Sequence, residues 1–467
     1  MSNDLQGRRV LVVGLGLTGR SMIRWLSAQG AIVSAVDSRE ECPGLEDLRA
    51  AYPAATFTTG PFRAESFADI DLIAVSPGVP LAEPEIVRAV ERGVPAVGDV
   101  ELFSLALSSV AARYGRPRPA ILAITGSNGK STVTELTGAL CRAAHRETLV
   151  AGNIGLAVLD ALFEIERGER PVPEIVVLEL SSFQLEATAS LRPDAAVVLN
   201  LSEDHLDRYD GMEGYARAKA RIFAGSRVQI VNRDDPWTTG MLRPEMQAWS
   251  FGRSPALGAR AWGILQDGGQ DWLVEGAHRI LPASRLRLAG LHNAENALAA
   301  MALCHAIGIE YDTMIPALVE FRGLPHRVEF VAELAGRRFY DDSKGTNVGA
   351  TVAALRGMRE KVVLIAGGDG KGQDFSPLGP AAATAARAVV LIGRDRERIA
   401  EALTPHGVNV SRAPDMHIAV EQSFDLSLHG DAILLSPACA SFDMFKNYEH
   451  RAEVFRAAVA QLQERRA

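Results

Sequence analysis

Continuous apolar runs alternating with helical patterns decide the fold class of this chain. "RRVLVVGLG" is a strand with no polar face, "TGRSMIRWLSAQG" a helix that stops at Gly30, and "AIVSAVD" a second strand. "DLIAVSPGVP" ends a further strand in a turn. A strand that is apolar on both sides must be covered on both sides, which means a mainly parallel sheet between two helical layers. The alternation resumes in "AILAITGSNGKSTVTELTGALCRAA", "EIVVLELSS" and "DAAVVLNLSEDH", then again in "KVVLIAGG", "ARAVVLIG" and "DAILLSPA". The chain has 467 residues, too many for one core. At about 150 residues per domain, three α/β domains are expected.

The joints between them are legible too. The basic, Pro-rich "RYGRPRPA" marks the approach to the second domain. The helix "NAENALAAMALCHAIG" is stopped by Gly308, and "FRGLPHR" then breaks the pattern as an expected hinge near Gly323. The expected division is residues 1–98, 99–322 and 323–467. Residues 226–288 read as a long, less regular stretch.

Charge and cysteines narrow the partners. Lys and Arg number 49 against 57 Asp and Glu, a net charge of −8, so the chain has no global footprint for nucleic acid or anionic membrane. An anionic ligand must be met by local Lys, Arg and backbone N–H groups. Cys42, Cys141, Cys304 and Cys439 lie far apart with no C-x-x-C pair. They read as buried thiols of a reducing compartment, neither a disulfide frame nor a zinc site. The polar start "MSNDLQGRR" has no leader character. No apolar run approaches the roughly 20 residues that span a bilayer. A soluble cytoplasmic protein is expected, with no nucleic acid and no membrane insertion.

"ITGSNGKST" is the stretch with the clearest chemistry. A Walker A loop places four residues between its glycines, whereas Gly126 and Gly129 have only Ser127 and Asn128 between them. Its position after a strand and before a helix still brings backbone N–H groups and the helix dipole onto an anion. Lys130 would add a point charge at the terminal phosphates and Ser131 a hydroxyl for Mg²⁺. The plain alternative is a Gly-Asn turn followed by an exposed lysine. Glu179 and His205 each follow a strand end on the same rim, where a carboxylate and an imidazole could complete a magnesium site. Alone, Glu179 could equally be a helix-capping acid and His205 a loop residue.

"GLGLTG", with Gly14, Gly16 and Gly19, and Asp37 at the end of the next strand fit the dinucleotide fingerprint. The loop holds a pyrophosphate on a helix N-terminus, and a UDP-sugar has one as NAD does. Two phosphorylated ligands on one chain suit ligation better than hydride transfer.

At this point the chain resembles the Mur ligases, ATP-dependent amide-bond-forming enzymes of peptidoglycan synthesis. Their phosphate loop is T-G-x-x-G-K-[ST], the short form seen at Thr125–Ser131. The resemblance extends through "SPGVP", "GDVELF", "GNIG", "ELSSFQLE", "NLSEDHLDRY", "YARAKARIF", "HNAENALAA", "GLPHR", "DDSKGTN", "GGDGKGQDF" and "LSPACASFD". It implies a Rossmann-like N-terminal domain, a central P-loop ATPase-like domain with a mostly parallel sheet, and a C-terminal Rossmann-like domain. "ELSSFQLE" and "GGDGKGQDF" favour the member that adds D-glutamate to UDP-N-acetylmuramoyl-L-alanine.

By that resemblance, Leu17, Thr18, Asp37, Ser38, Arg39 and the Ser76-Pro77-Gly78 turn would hold UDP. Ser38 stands where Thr is common. Asn153 would touch the sugar-peptide. Gly126, Ser127, Asn128, Gly129, Lys130, Ser131 and Thr132 would bind ATP with Asn293, Asn296, Arg327 and Asp342. Ser131, Glu179, His205 and Lys219, the last as a CO₂-derived carbamate, would hold two Mg²⁺ ions. Lys130, His205 and Lys219 would be the catalytic group. Lys344, Thr346, Lys371, Ser441 and Phe442 would line the D-glutamate site, with Tyr448 where Phe is frequent. A monomer is expected.

Plain alternatives stand beside these roles. Lys219 lies in a polar helix and would by itself be a solvated lysine; Lys371 could be a loop charge, and Asp342 or Lys344 half of a surface ion pair. At the level of function the rivals are another Mur ligase, a folylpolyglutamate-synthase-like amide ligase, an NAD-dependent dehydrogenase or a non-catalytic nucleotide-binding module.

Overall fold

The computed structural model describes residues 5–466 except 207, 257, 288–289 and 359. Residues 1–4 of the polar start, Asp207 of "NLSEDHLDRY" and residue 288 at the end of the less regular stretch lie outside the described residues. Three sheets organise the chain. The first contains β1 (Arg9–Val13), β2 (Ile32–Asp37), β3 (Thr56–Thr59), β4 (Leu72–Val75) and β5 (Ala96–Val97). They run parallel in the order β3-β2-β1-β4-β5. The strand order reverses between β1 and β4, and a crevice opens there at the carboxyl ends of the strands.

The second sheet has nine strands. β6 (Ala120–Thr125) lies between β8 (Ile175–Glu179) and β9 (Ala195–Val198), with β7 (Thr148–Gly152) at the edge beyond β8. Leu122 and Ile124 face the helices Lys130–Ala143 and Leu291–Ala306, whereas Ala123 faces the opposite layer with Leu159 and Leu162. Each leucine or isoleucine so enclosed is stabilised by about 1.5–3 kcal/mol relative to exposure. The second layer also takes in Trp25 and Leu26 of the Leu17–Ala28 helix and Leu102 of the Asp99–Arg113 helix, so the first two sheets share a core. Trp25 Nε1 and Gln29 Nε2 reinforce it by donating to Glu166 Oε2 at 3.0 and 2.7 Å.

Beyond β9 the structure corrects the reading of residues 226–288. They form β10 (Val228–Asn232), β11 (Gln247–Phe251), β12 (Ala261–Asp267), β13 (Gln270–Glu275) and β14 (His278–Pro282), which widen the same sheet. β12, β13 and β14 pair antiparallel. Each carries a short buried apolar stretch, such as Leu273-Val274 in β13, beside polar, exposed ends. The signal was present in Gly268-Gly269, a two-residue hairpin turn with φ +57° and +76° between paired Asp267 and Gln270.

The third sheet orders β15 (Glu329–Leu334), β16 (Arg337–Asp341), β17 (Val362–Gly367), β18 (Ala386–Ile392), β19 (Val410–Arg412) and β20 (Ala432–Leu435) as β15-β16-β20-β17-β18-β19. Only the β15–β16 pair is antiparallel. The connection from the Tyr311–Glu320 helix into β15 turns sharply, with φ of +88° at Gly323, +63° at His326 and +48° at Val328. Among the described residues no helix is long and apolar enough to cross a membrane.

Candidate functional site

The loop between β6 and the Lys130–Ala143 helix lies at the middle of the second sheet. Gly126 and Gly129 adopt φ of +154° and +82°. A Cβ on Gly129 would stand 2.7 Å from Asn296 Oδ1, and one on Gly126 would stand 3.0 Å from Leu199 Cβ. Glycine is therefore required by both conformation and space. Asn128 N donates to Asn200 Oδ1 at 2.8 Å, and Ser127 Oγ to the Ser202 carbonyl at 3.0 Å, so the loop is braced by the segment after β9. Lys130 Nζ folds back onto the Gly126 and Ser127 carbonyls, 2.8 Å from each. Burial holds its pKa below the ordinary lysine value.

Lys219 converges on this loop from the Gly211–Ala220 helix. It is 1% exposed and donates to the Gly126 carbonyl at 2.8 Å and to Thr125 Oγ1 at 3.4 Å, its ammonium 4.6 Å from the Tyr215 ring centre. The solvated-lysine alternative is thus overturned. Burial, then the charge of Lys130, pushes its pKa well below that of a free lysine. Glu179 at the end of β8 is buried. Its Oε1 accepts from Asn153 Nδ2 at 2.9 Å, while Oε2 has no partner among the described residues. A buried, unpaired carboxylate oxygen costs free energy unless a cation or donor meets it. Helix capping next to Glu179 falls instead to Ser181, which forms a capping box with Gln184. His205, at φ +55°, packs edge-on against Phe183 at 4.8 Å. Burial lowers its pKa; the charge of Asp204 opposes this, and Lys371, Lys130 and Lys219 add to it.

A cleft beside the loop is lined by Asn128, Gly129 and Thr132, by Asn293 and Asn296, and by Arg327 and Asp342. Arg327 Nη2 reaches Ser131 Oγ at 3.3 Å across the joint. Asp342 is buried, not part of a surface ion pair; it accepts from Ser436 Oγ at 2.6 Å, and burial pushes its carboxyl up to about 7. The same cleft is lined by Phe251, Arg253, His292 and Glu295, which sequence reasoning missed. Phe251 and Arg253 come from the end of β11, inside the stretch read as irregular. Arg253 and Glu295 pair at 2.7 Å.

A second cleft, at the crevice of the first sheet, brings together Leu17, Thr18, Asp37, Ser38, Arg39, Ser76 and Gly78, with Asn153 arriving from the central sheet. Asp37 accepts from Leu15 N at 2.7 Å and from Arg39 Nε and Nη2 at 2.8 Å each. Burial alone would raise its pKa, but these donors hold the carboxyl well below the usual range. Ser76 Oγ donates to the Gly14 carbonyl at 2.8 Å and fixes the turn. Gln184, also missed, lines this cleft.

The third group is looser. Lys344 Nζ donates to Tyr448 Oη at 3.0 Å, so the hydroxyl that distinguishes Tyr from Phe at 448 has a partner. Burial, then Arg327, lowers the pKa of Lys344. Thr346 N donates to the Lys344 carbonyl at 2.9 Å. Lys371 occupies a turn at φ +49°, and its charge reaches His205. Ser441 is buried, but its neighbour Phe442 stands 74% exposed. His326, beside Arg327, bonds Asp341 at 2.7 Å through Nδ1, another contact that sequence reasoning did not find.

Comparison with known proteins agrees along the whole length. Residues 8–98 match the Mur ligase MurD-like N-terminal domain, 124–304 the Mur ligase middle domain, and 326–439 the Mur ligase glutamate ligase domain. A UDP-N-acetylmuramoylalanine–D-glutamate ligase of Methylobacillus flagellatus is 52% identical over 462 residues, covering 99% of each chain. The protein of that name in Thiobacillus denitrificans is 55% identical over 470 residues, covering 99% of this chain and 98% of its own. Among solved structures, UDP-N-acetylmuramate-alanine ligase MurC of Thermotoga maritima aligns with a TM-score of 0.59 at 20% identity, covering 97% of this chain and 99% of its own. MurF of Acinetobacter baumannii aligns at 0.61 and 18% identity, covering 99% and 92%. These two likenesses concern the fold.

Proposed function

The chain belongs to the Mur ligase family, and from that premise we infer that it joins D-glutamate to UDP-N-acetylmuramoyl-L-alanine at the expense of ATP in peptidoglycan precursor synthesis. The observation behind this reading is that Lys130 and Lys219 both bond the Gly126 carbonyl and Arg327 reaches Ser131, while buried Glu179, with one unpaired oxygen, ends the neighbouring strand. In this reading residues 1–98 hold the UDP substrate, 99–322 hold ATP and 323–467 supply D-glutamate. The protein works as a monomer in the cytoplasm.

A carboxylate is a poor electrophile. Transfer of the γ-phosphoryl group from ATP converts the carboxylate of the UDP substrate into an acyl phosphate. The amine of D-glutamate then attacks, and the tetrahedral adduct collapses to amide and phosphate. The first obstacle is repulsion between two anions. Lys130, the loop N–H groups and Arg327 lower it by placing positive charge where phosphoryl charge develops. The unpaired Glu179 oxygen fits a cation, and Ser131, Glu179, His205 and carbamylated Lys219 would hold two Mg²⁺ ions. When bound, these ions would screen the phosphates. In the second step the ammonium proton needs an acceptor. An ordered water is one candidate, and His205 is the other through whichever ring nitrogen is not engaged with a cation. Phe442 would fold over the incoming D-glutamate, while Lys344, Thr346, Lys371 and Ser441 meet its carboxylates.

The test is phosphate release with the UDP substrate, D-glutamate and Mg-ATP, leaving out each in turn and replacing D-glutamate with other amino acids. Release that continues without D-glutamate, or is faster with a different amino acid, defeats the assignment.

A further inference from the structure

Asn347 opens the Val348–Gly357 helix and is 3% exposed. Its side-chain oxygen accepts from Ala350 N at 2.8 Å, an ordinary capping bond. Its side-chain nitrogen does something else. It donates to Asn128 Oδ1 at 3.1 Å and to Asp204 Oδ2 at 3.4 Å, both on the central sheet's side of the joint. Asn128 belongs to the phosphate loop, and Asp204 precedes His205. One amide from the third domain therefore touches the loop and the neighbour of a candidate metal ligand. A second feature makes room for this. A Cβ on Gly349 would stand 2.7 Å from Ser202 Oγ and 3.2 Å from Asn128 Nδ2, so glycine lets the first turn of the helix seat there without displacing either side chain.

We propose that Asn347 is a positioning residue that latches the third domain onto the phosphate loop, a role that rests on the ligase reading above. Seating its NH₂ group between Asn128 and Asp204 fixes the loop only when the third domain is closed, which couples the ATP cleft to the amino-acid side. The UDP cleft is lined by other residues and does not include 347.

Two substitutions separate the latch from the cap. Asn347→Ser keeps a capping oxygen and removes the NH₂ donor; Asn347→Asp keeps the oxygen and sets a carboxylate against Asp204. With full-length protein, kcat/KM for ATP and affinity for a non-hydrolysable ATP analogue should fall on the order of 10-fold in the serine variant and further in the aspartate variant. In Asn347→Ser the unfolding temperature and the KM for the UDP substrate should stay at wild-type values. Wild-type affinity and kcat/KM in Asn347→Ser would overturn the latch. So would a loss that comes with a lowered unfolding temperature or an equal rise in the KM for the UDP substrate. If the wild-type chain turns over none of these substrates, the ligase reading fails, and the analogue affinities still decide the latch.

Discussion

Lys130 and Lys219 share one acceptor: each ammonium lies 2.8 Å from the carbonyl oxygen of Gly126. Two buried cations on one carbonyl repel, and the deeper of the two, Lys219, is displaced furthest toward its neutral form. A neutral amine can attack CO₂. The resulting carbamate is an anion, so it would attract Lys130 where the ammonium repels it.

Lys219→Ala should accordingly lower turnover by about 100-fold or more, the scale of losing a transition-state electrostatic group. Added acetate or formate should restore part of it by standing in for the carbamate. Phosphate release measured with and without these anions is the check, and undiminished activity in the variant contradicts the carbamate.

Lys130→Ala should cost on the order of 100- to 1000-fold in kcat, with the UDP substrate still bound at wild-type affinity. Calorimetric titration of that substrate separates the two effects. Peptide bond synthesis at wild-type speed would remove the basis of the phosphate-loop assignment.

Gly19 tests the first crevice. A Cβ there would lie 1.8 Å from the Gly14 carbonyl oxygen and 3.0 Å from Ser76 Oγ. The Leu17–Ala28 helix could not then approach β1, so Gly19→Ala should destabilise the protein by about 3 kcal/mol and abolish binding at the crevice of the first sheet, where we propose that UDP is held. Denaturant unfolding would show it, and wild-type stability would mean that the helix can shift at little cost.

Asp99 supplies a pH signature. It is 2% exposed, one oxygen accepts from Gln184 Nε2 at 3.4 Å, the other has no partner among the described residues, and burial pushes the carboxyl up to about 6. The folded pKa exceeds the unfolded one. Its contribution to stability is therefore complete below about pH 4 and is lost as pH rises through about 6, amounting to about 3 kcal/mol by pH 7. A side-chain amide has no such proton to lose, so Asp99→Asn should gain stability over wild type as pH climbs from 4 to 7. Unfolding curves at both ends of that range would reveal the gain; a difference that ignores pH would contradict the raised carboxyl.

Much of this was legible in the sequence. β1, β6, β8 and β9 are unbroken apolar runs, and the glycines that follow β1 and β6 mark both crevices. Strands β11 to β14 were not legible as strands, because their apolar stretches are short and their exposed polar ends resemble loop composition; with them went Phe251 and Arg253. Lys219 gave no local hint of burial, since its helix is polar on average and only the tertiary structure brings the Gly126 loop onto it. Asn347 was invisible for a similar reason. A capping residue is recognised from its own helix, whereas the bonds to Asn128 and Asp204 span more than a hundred residues.

Asn153 lines the crevice of the first sheet and, through a 2.9 Å side-chain bond, orients the Glu179 carboxylate on the rim of the second. Selection cannot retune those two places separately. A substitution at 153 that reshaped the first crevice would also leave both oxygens of a buried acid without a protein donor, so a change at this position acts in two places. An inhibitor anchored on this amide would leave the protein little room to escape it by mutation.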